Sequence, residues 1–473
     1  MSQVLPKDVP QTLRRWKRYA TYKDAGGEWL GEIPAHWKTG VRLTHLAKKE
    51  RHSFVNGPFG SDLLTSEITE TGVPVIYIRD LTPNKYSRVS QSCVTEQKAK
   101  QLSAFQTSPG DVLIAKVGDP PGVATVYPEN EPLGIVTQDV IRIKPDEQVV
   151  LSEYLAYVLN SNFMGAIIDQ ISVASTRTRI SLGDFKQIRL FTPPLSEQQA
   201  IASFLDRETA KIDALIAKKE RLIELLQEKR TAIISHAVTK GLDPTALLKD
   251  SGVEWLGEVP AHWKVLSVRR LAGMIEQGWS PVAEDRLASE DEWGVIKLSA
   301  VNQGLFRPEE HKTLPEDMEA DKRYEIKAGD FLLTRANTPN LVGDVCVVLN
   351  TRRYLMLCDL VYRVSVDDNR VSKNYLCYWF LCRAGRYQIT RDARGSSLSM
   401  VKVSQNSIRS WLVALPPFLE QQAIASYLDR ETTKIDALIA KIREDIEKLK
   451  EYRTALISAA VTGKIDVCNE VAS

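Results

Sequence analysis

PPLSEQQAIASFLDRETAKIDALIAK, at residues 193–218, returns almost unchanged as PPFLEQQAIASYLDRETTKIDALIAK at residues 416–441. The two copies lie 223 residues apart and agree at 22 of 26 positions. Each copy continues through a charged stretch into a second match, RTAIISHAVTKG at residues 230–241 and RTALISAAVTGK at residues 453–464. Agreement of this kind at a fixed offset indicates that the chain is an internal duplication.

Each copy predicts one long helix. A proline pair precedes it, and no further proline or glycine follows until Gly241 or Gly463, so nothing breaks the helix before those positions. About 40 residues at ~1.5 Å each make a rod of ~60 Å. The alternative, two core helices of one globular domain, does not explain why exposed as well as buried positions agree between the copies.

Apolar residues recur three and four positions apart along both rods, which predicts a heptad seam. Ile216, Ile439 and Ile446 lie beside that seam and make the apolar stripe wider than one partner helix needs. We therefore expect part of the stripe to bind another protein. The residues predicted to form the seam or the partner surface are Ile212, Leu215, Ile216, Leu222, Leu226, Ile435, Leu438, Ile439, Ile442, Ile446 and Leu449.

A second, shorter repeat opens each half of the chain: EWLGEIPAHWK at residues 28–38 and EWLGEVPAHWK at residues 254–264. We expect Trp37 and Trp263 to fold back onto the rod or the neighbouring globule. The adjacent His36 and His262 are interpreted as packing residues, since a lone histidine beside a tryptophan has no catalytic partner in the sequence.

The segments between the repeats, residues 41–192 and 265–415, hardly resemble each other. Both mix short β-like runs with helical stretches, which indicates an α+β fold. The sequence thus predicts five segments, of which the last is a short tail: an N-terminal domain at 1–192, a long helix at 193–241, a second domain at 242–415, a second long helix at 416–466, and 467–473.

Composition limits the function. The net charge of +2 favours no partner, but basic residues concentrate just ahead of both rods, where they could meet phosphate or only solvent. Six cysteines show no metal-binding spacing, and a chain without a signal peptide that keeps free thiols is expected in the cytoplasm. The apolar runs are too short to cross a membrane.

Catalytic motifs are missing from the sequence. It has no GxGxxG and no GxxxxGK[ST] motif, and we find no metal-ligating pattern. Residues 119–122, DPPG, begin like the motif with which DNA methyltransferases hold a flipped base, but Gly122 stands where the stacking aromatic is needed. We therefore expect a protein that is not an enzyme and carries no cofactor.

Together these features resemble the specificity subunit of Type I restriction–modification enzymes, over essentially the whole chain. The motifs that carry the resemblance are PP–EQQAIAS with its rod, GPFGSDL at residues 57–63, and the Gly-Asp pairs at Gly110 and Gly329. GPFGSDL is not repeated in the second half, where residues 277–280, QGWS, stand in roughly its place.

The resemblance implies two target-recognition domains separated by an antiparallel pair of helices in a coiled coil, with the two halves related by a pseudo-twofold repeat. Each domain would read one half of a split sequence in double-stranded DNA. The helices would set the spacer and bind two methyltransferase subunits, which methylate adenine with S-adenosylmethionine. Restriction subunits that use ATP would join the complex, and Mg is likewise expected only in partner subunits.

We chose candidate DNA contacts by charge, loop position and the parallel between the halves. Arginine can read guanine and asparagine adenine, whereas lysine more often binds phosphate. The candidates are Ser61, Lys116, Arg177 and Arg179 in the first domain, and Arg335, Asn337, Arg394 and Lys402 in the second.

Two other functions stay open from the residues alone. A stand-alone bipartite DNA-binding regulator would need no apolar stripe for a partner enzyme. A coiled-coil scaffold that binds only proteins would show no salt-dependent affinity for DNA.

Overall fold

The computed structural model describes residues 13, 16–26, 31–173, 178–397, 400–468 and 470. The chain forms two compact units, residues 1–219 with 444–473, and residues 220–443. Each unit combines a mixed α/β domain with the first part of one long helix and the last part of the other. This division cuts through both helices, so the five segments expected from the sequence remain a prediction.

The first unit is built on two four-stranded sheets, one ordered β11-β10-β13-β4 with antiparallel neighbours and one ordered β8-β5-β12-β9, in which β5 and β12 are parallel. Its described elements are β1 (Tyr22–Asp24), β2 (Glu32–Pro34), β3 (Lys38–Arg42), β4 (Phe54–Asn56), β5 (Val73–Ile76), β6 (Leu81–Thr82), β7 (Lys85–Tyr86), β8 (Cys93–Val94), α1 (Glu96–Gln101), β9 (Gln106–Thr107), β10 (Val112–Ala115), β11 (Ala124–Val126), β12 (Gly134–Val136), β13 (Val140–Ile143), α2 (Ser152–Leu159), α3 (Asn162–Ile171), β14 (Ser172–Val173), β15 (Arg179–Ile180), α4 (Leu182–Gln187) and β16 (Arg189–Thr192).

The second unit has a four-stranded antiparallel sheet, β20-β29-β25-β27, with three-stranded sheets β24-β21-β28 and β26-β31-β30. Its described elements are β17 (Leu248–Asp250), β18 (Glu258–Pro260), β19 (Lys264–Ser267), β20 (Ala272–Gln277), β21 (Gly294–Ile296), β22 (Val301–Asn302), β23 (Leu305–Phe306), β24 (His311–Thr313), β25 (Phe331–Thr334), β26 (Ala336–Asn337), β27 (Val345–Val347), β28 (Leu355–Met356), β29 (Val361–Val366), α6 (Lys373–Leu381), α7 (Arg383–Asp392), β30 (Arg394–Ser397), β31 (Met400–Lys402), α8 (Gln405–Ser410) and β32 (Leu412–Leu415).

The two long helices are α5 (Leu195–Lys240) and α9 (Phe418–Val461). Each begins directly after its proline pair, as predicted. Gly241 follows α5 at a φ of 79°, and Gly463 follows α9 at a φ of 68°, a conformation that glycine adopts without strain. At 46 residues, α5 is ~69 Å long. The predicted fold class, two mixed α/β domains with two long helices between and after them in the chain, is confirmed.

The helices run antiparallel, as the resemblance implies. In the first unit Asp213 pairs with Arg453 at 2.9 Å, and Lys219 pairs with Asp445 at 2.8 Å. Residue numbers therefore rise along one helix as they fall along the other. In the second unit Arg230 of α5 pairs with an aspartate of α9 at 3.2 Å.

The seam agrees with the prediction in part: Ile212, Ile435 and Ile442 are buried as expected, but other positions differ by one residue. Leu215, Leu222 and Leu438, which the sequence places in the seam, are 43%, 44% and 45% exposed. Ile439 and Ile446, predicted to lie beside it for a partner, are buried. Their assignment to the partner surface was therefore wrong.

A polar seam position explains the shift. The inward face of α9 has a regular spacing of four and three that passes through Thr432, which is buried. The hydroxyl of Thr432 donates to the carbonyl of Leu428 at 2.7 Å, and Thr209 occupies the matching buried position in α5. A search for apolar residues passes over the threonine, and it then assigns Leu438 to the seam in place of Ile439. The inward positions of α9 are Leu428, Thr432, Ile435, Ile439, Ile442, Ile446 and the half-buried Leu449.

A buried glutamine fixes the start of α5 to the first domain. The side-chain oxygen of Gln198 accepts from the amide of Leu151 at 2.9 Å. Its side-chain nitrogen donates to the carbonyls of Val149 (3.0 Å) and Pro193 (2.9 Å). Gln198 is fully buried, so these bonds replace water that cannot reach the amide.

The second unit repeats this arrangement. Gln421 accepts from the amide of Ser372 at 2.9 Å and donates to the carbonyls of Arg370 (3.0 Å) and Pro416 (2.9 Å). The three bonds match those of Gln198 although the two domains differ in sequence. We call these two residues the clamp glutamines.

The preceding glutamate ties the short repeat to the helix. Glu197 accepts from the indole nitrogen of Trp37 at 2.9 Å and contacts His36 at 2.5 Å. In the second unit the indole nitrogen of Trp263 donates to Glu420 at 3.0 Å. Both tryptophans are fully buried, so the prediction that they pack onto the helix or globule is confirmed.

Replacing a clamp glutamine should destabilise its unit. Gln198→Ala or Gln421→Ala leaves two carbonyls and an amide without partners, and each buried unsatisfied group costs roughly 1–3 kcal/mol. We expect the free energy of unfolding, measured by urea denaturation, to fall by at least ~2 kcal/mol. Gln199→Ala and Gln422→Ala are matched controls, since each truncates a glutamine that is exposed to solvent. Equal losses in all four variants would contradict the clamp.

Candidate nucleic-acid interface

The main sheet of the first unit brings three chain segments to one edge. The amide of Gly57, just after β4, donates to the carbonyl of Val140 in β13 at 3.2 Å. The amide of Lys116, just after β10, donates to the carbonyl of Asp139 at 2.8 Å. The carbonyl of Lys116 in turn accepts from the amide of Ile180 at 3.0 Å. The loop after β4, the end of β10 and strand β15 therefore meet at this edge.

The second unit repeats the same backbone bonds. The amide of Gly278, just after β20, points at the carbonyl of Val361 in β29 at 3.4 Å. The amide of Arg335, just after β25, donates to the carbonyl of Leu360 at 2.7 Å, and its carbonyl accepts from the amide of Val403 at 2.9 Å. The two edges are thus built alike from unlike sequences.

This match aligns the basic residues of the two domains. Lys116 corresponds to Arg335, because both make the same pair of backbone bonds. Arg179 and Lys402 correspond as well, since each immediately precedes the residue that donates the second bond. We call these two pairs, Lys116 with Arg179 and Arg335 with Lys402, the basic edges.

The structure brings most of the predicted contacts together. Arg394 and Lys402 face each other across strands β30 and β31, and Asn337 lies on β26, the other neighbour of β31. Ser61 is exposed in the loop after β4. Arg177 lies outside the described residues.

Arg394 already has partners within the second domain. One guanidinium nitrogen donates to the carbonyl of Arg391 at 2.6 Å and to that of Ala393 at 3.2 Å. Cations are favoured at the C-terminal end of a helix, where carbonyls lack partners. Part of the hydrogen-bonding capacity of Arg394 therefore goes to the end of α7.

The basic edge of the first domain concentrates positive charge. Burial lowers the pKa of Lys116 below its usual value, and the neighbouring charge of Arg179 lowers it further, while Asp139 opposes both effects. Two cations held this close favour an anion between them, such as a phosphate group.

A glycine makes a close backbone contact at each edge. The sequence marks Gly57 by the motif GPFGSDL, whereas Gly278 stands in a segment without that motif. A Cβ on Gly57 would lie 2.1 Å from the carbonyl oxygen of Val136, and one on Gly278 would lie 2.2 Å from that of Leu357. Only glycine fits at either position. The sequence signal at Gly278 is a single glycine in a changed context, which explains why its equivalence with Gly57 was only approximate.

The described residues add two negative findings. Nowhere among them do three or more histidine, cysteine, aspartate or glutamate side chains group as a metal site would require. None of the helices in this part of the chain combines the length and the apolar character needed to cross a membrane.

Comparison with known proteins agrees with this geometry. The sequence model of the Type I restriction modification DNA specificity domain matches residues 60–225. The chain is 27% identical over 241 residues to the Type I restriction enzyme EcoEI specificity subunit of Escherichia coli, a match that covers 51% of this chain and 40% of that protein. It is 20% identical over 438 residues to the StySPI specificity subunit of Salmonella potsdam, covering 92% of this chain and 90% of the relative.

A solved structure shares the fold along nearly the whole chain. One chain from a study of complex assembly and conformational transition in the type I R-M system superposes with a TM-score of 0.62 at 17% identity, covering 92% of this chain and 99% of that one. The match to the StySPI specificity subunit extends over most of both chains. The chain is therefore similar to the specificity subunits of Type I restriction–modification enzymes.

Proposed function

We propose that this chain is the DNA-recognition subunit of a Type I restriction–modification complex and that each of its domains reads one half of a bipartite site. The observation that carries the proposal is the pair of equivalent basic edges. Two domains that differ in sequence keep cations at matching positions, and each is fixed to a nearly identical helix by the same glutamine bonds. Unlike recognition surfaces on a repeated frame suit a target with two unlike halves.

Within this proposal the basic edges position the DNA and neighbouring side chains identify bases. Contacts to phosphate fix the register of a protein on the duplex but carry no sequence information directly. Lys116 and Lys402 suit phosphate, whereas the guanidinium of Arg335 and the amide of Asn337 can read base edges. Ser61, Arg177, Arg179 and Arg394 remain further candidates for contact.

The long helices are proposed to set the spacer and to bind two methyltransferase subunits. Leu215 of α5 and Leu438 of α9 occupy equivalent positions in the two helix copies and are exposed to a similar extent, 43% and 45%. Apolar side chains at equivalent exposed positions suit two copies of one partner. Leu215 and Leu438 therefore take the place of Ile439 and Ile446 as proposed partner contacts, because the two isoleucines are buried in the seam.

The chemistry is proposed to reside in those partners. S-adenosylmethionine, Mg and ATP would bind to the methyltransferase and restriction subunits. Because the target is double-stranded DNA in the cell, we propose a cytoplasmic location. A stand-alone regulator or a protein-only scaffold is not favoured, since the relatives that match over most of their length are specificity subunits of restriction enzymes.

Removing a phosphate contact should weaken binding to all sequences alike. Lys402→Ala is expected to reduce the slope of log affinity against log salt by ~1 without changing the preferred sequence. The slope can be measured by fluorescence anisotropy on assembled complex and duplex DNA. Lys327→Ala is the matched control, because Lys327 is exposed and precedes β25 at the end opposite to Arg335. Equal slopes for both variants would contradict a phosphate contact at Lys402.

Exchanging one domain should change one half of the recognised sequence. We expect that replacing residues 41–192 with the matching segment of a relative alters one half-site and leaves the other half and the spacer unchanged. Long-read sequencing of methylated adenines in cells provides the measurement, and exchange of residues 265–415 provides the reciprocal test. If either exchange alters both half-sites, the two domains do not read independently.

Adjacent residues on α9 should separate assembly from folding. Leu438→Asp places a charge on an exposed position, so we expect normal unfolding but at least tenfold weaker binding of the methyltransferase subunit. Ile439→Asp buries an unpaired carboxylate, which costs several kcal/mol, and should lower stability. Urea denaturation and titration with the purified methyltransferase subunit measure the two effects. Wild-type assembly by Leu438→Asp would show that this face does not bind the partner.

A further inference from the structure

An exposed aromatic side chain follows the essential glycine in both domains. Phe59 lies two residues after Gly57 and is 67% exposed, and Trp279 lies directly after Gly278 and is 37% exposed. The two loops share no sequence motif beyond the glycine. An aromatic ring within two residues of the equivalent glycine in two diverged loops therefore needs a reason other than a common sequence.

Packing within the chain supplies that reason only in part: Trp279 lines a surface pocket with residues 319–324 but keeps part of its ring exposed. Among the described residues, neither ring stacks on another ring or lies against a cation. Phe59 is the more exposed of the two and leaves most of its apolar surface in water, which is unfavourable in the isolated chain. Beside the basic edge, an exposed ring can contact a ligand that carries both phosphate and flat apolar faces.

The position of the rings indicates the ligand. Gly57 and Lys116 make their backbone bonds to the adjacent residues 140 and 139, and Gly278 and Arg335 make theirs to residues 361 and 360. Each aromatic loop therefore leaves the sheet at the same edge as the basic residues. A phosphate backbone at the basic edge brings bases within reach of the loop. An apolar side chain inserted at a base step partly unstacks it, and every base offers a face on which a ring can stack.

We propose that Phe59 and Trp279 act as wedges, each inserting at a base step of the half-site that its domain contacts and partly unstacking the duplex there. The inference rests on the proposed function. It assigns to both loops a role that charge-based selection of contacts misses, because neither residue is polar enough to be chosen. It also gives the divergent QGWS loop the same task as the GPFGSDL loop.

The test uses the full chain assembled with its methyltransferase subunits and a duplex that carries the motif found by methylation sequencing. 2-Aminopurine replaces one base at a time in each half-site, away from the methylated adenine, so that its fluorescence reports local unstacking. We expect the wild-type complex to raise the fluorescence at one step in each half-site. Phe59→Ala should abolish the signal in one half only and weaken binding about tenfold. Trp279→Ala should do the same in the other half.

Two further measurements separate a wedge from other roles. The salt slope should be unchanged in both aromatic variants, since no phosphate contact is lost. Leu349→Ala is the matched control, because Leu349 is 70% exposed and follows β27 at the opposite edge of the same sheet. It should keep wild-type affinity and fluorescence.

Wild-type fluorescence and affinity in Phe59→Ala and Trp279→Ala would overturn the wedge. The proposed function would survive that result if the complex still prefers the motif over a scrambled duplex and Lys402→Ala still lowers the salt slope. A complex without preference for the motif would overturn both. Phe59→Leu keeps an apolar side chain but no ring, and it should retain part of the unstacking signal. Complete loss of the signal in this variant would overturn the wedge in favour of a contact made by ring stacking alone.

Discussion

The structure depends on a buried amide at the start of each long helix. Gln198 and Gln421 each make three hydrogen bonds to backbone groups, and each joins its helix to the loop before a domain helix. A buried amide must satisfy its donors and its acceptor together. Its partners are all backbone groups, so each domain can change its side chains while it keeps the same attachment to its helix.

The glutamate beside each clamp glutamine connects the two repeats. Glu197 accepts from Trp37 and Glu420 accepts from Trp263, so EQQ and PAHW form one contact although more than 150 residues separate them in the chain. The long helices add a second constraint, because Lys219 of α5 pairs with Asp445, which lies beside the inward face of α9. Charged pairs at seam positions favour one register and orientation over others.

Sequence patterns predicted some levels of this organisation well. The helix bounds followed from prolines and glycines, whose backbone restrictions act locally. The seam followed only in part, because Thr209 and Thr432 occupy inward positions that an apolar pattern ignores. Of the candidate contacts, Lys116 with Arg179 and Arg394 with Lys402 proved to be neighbours. The aromatic residues Phe59 and Trp279 were not among the candidates, since these were chosen by charge, loop position and the parallel between the halves.

The sequence by itself determined the duplication, the two helices, the mixed domains and the resemblance to specificity subunits, since each rests on local composition or on identity between segments. Only the tertiary structure decided which residues of the two unlike domains correspond. That correspondence rests on backbone hydrogen bonds between strands distant in the chain, such as those of Lys116 and Arg335. Backbone bonds leave side chains free to vary, so equivalent positions can hold lysine in one domain and arginine in the other without a shared sequence motif.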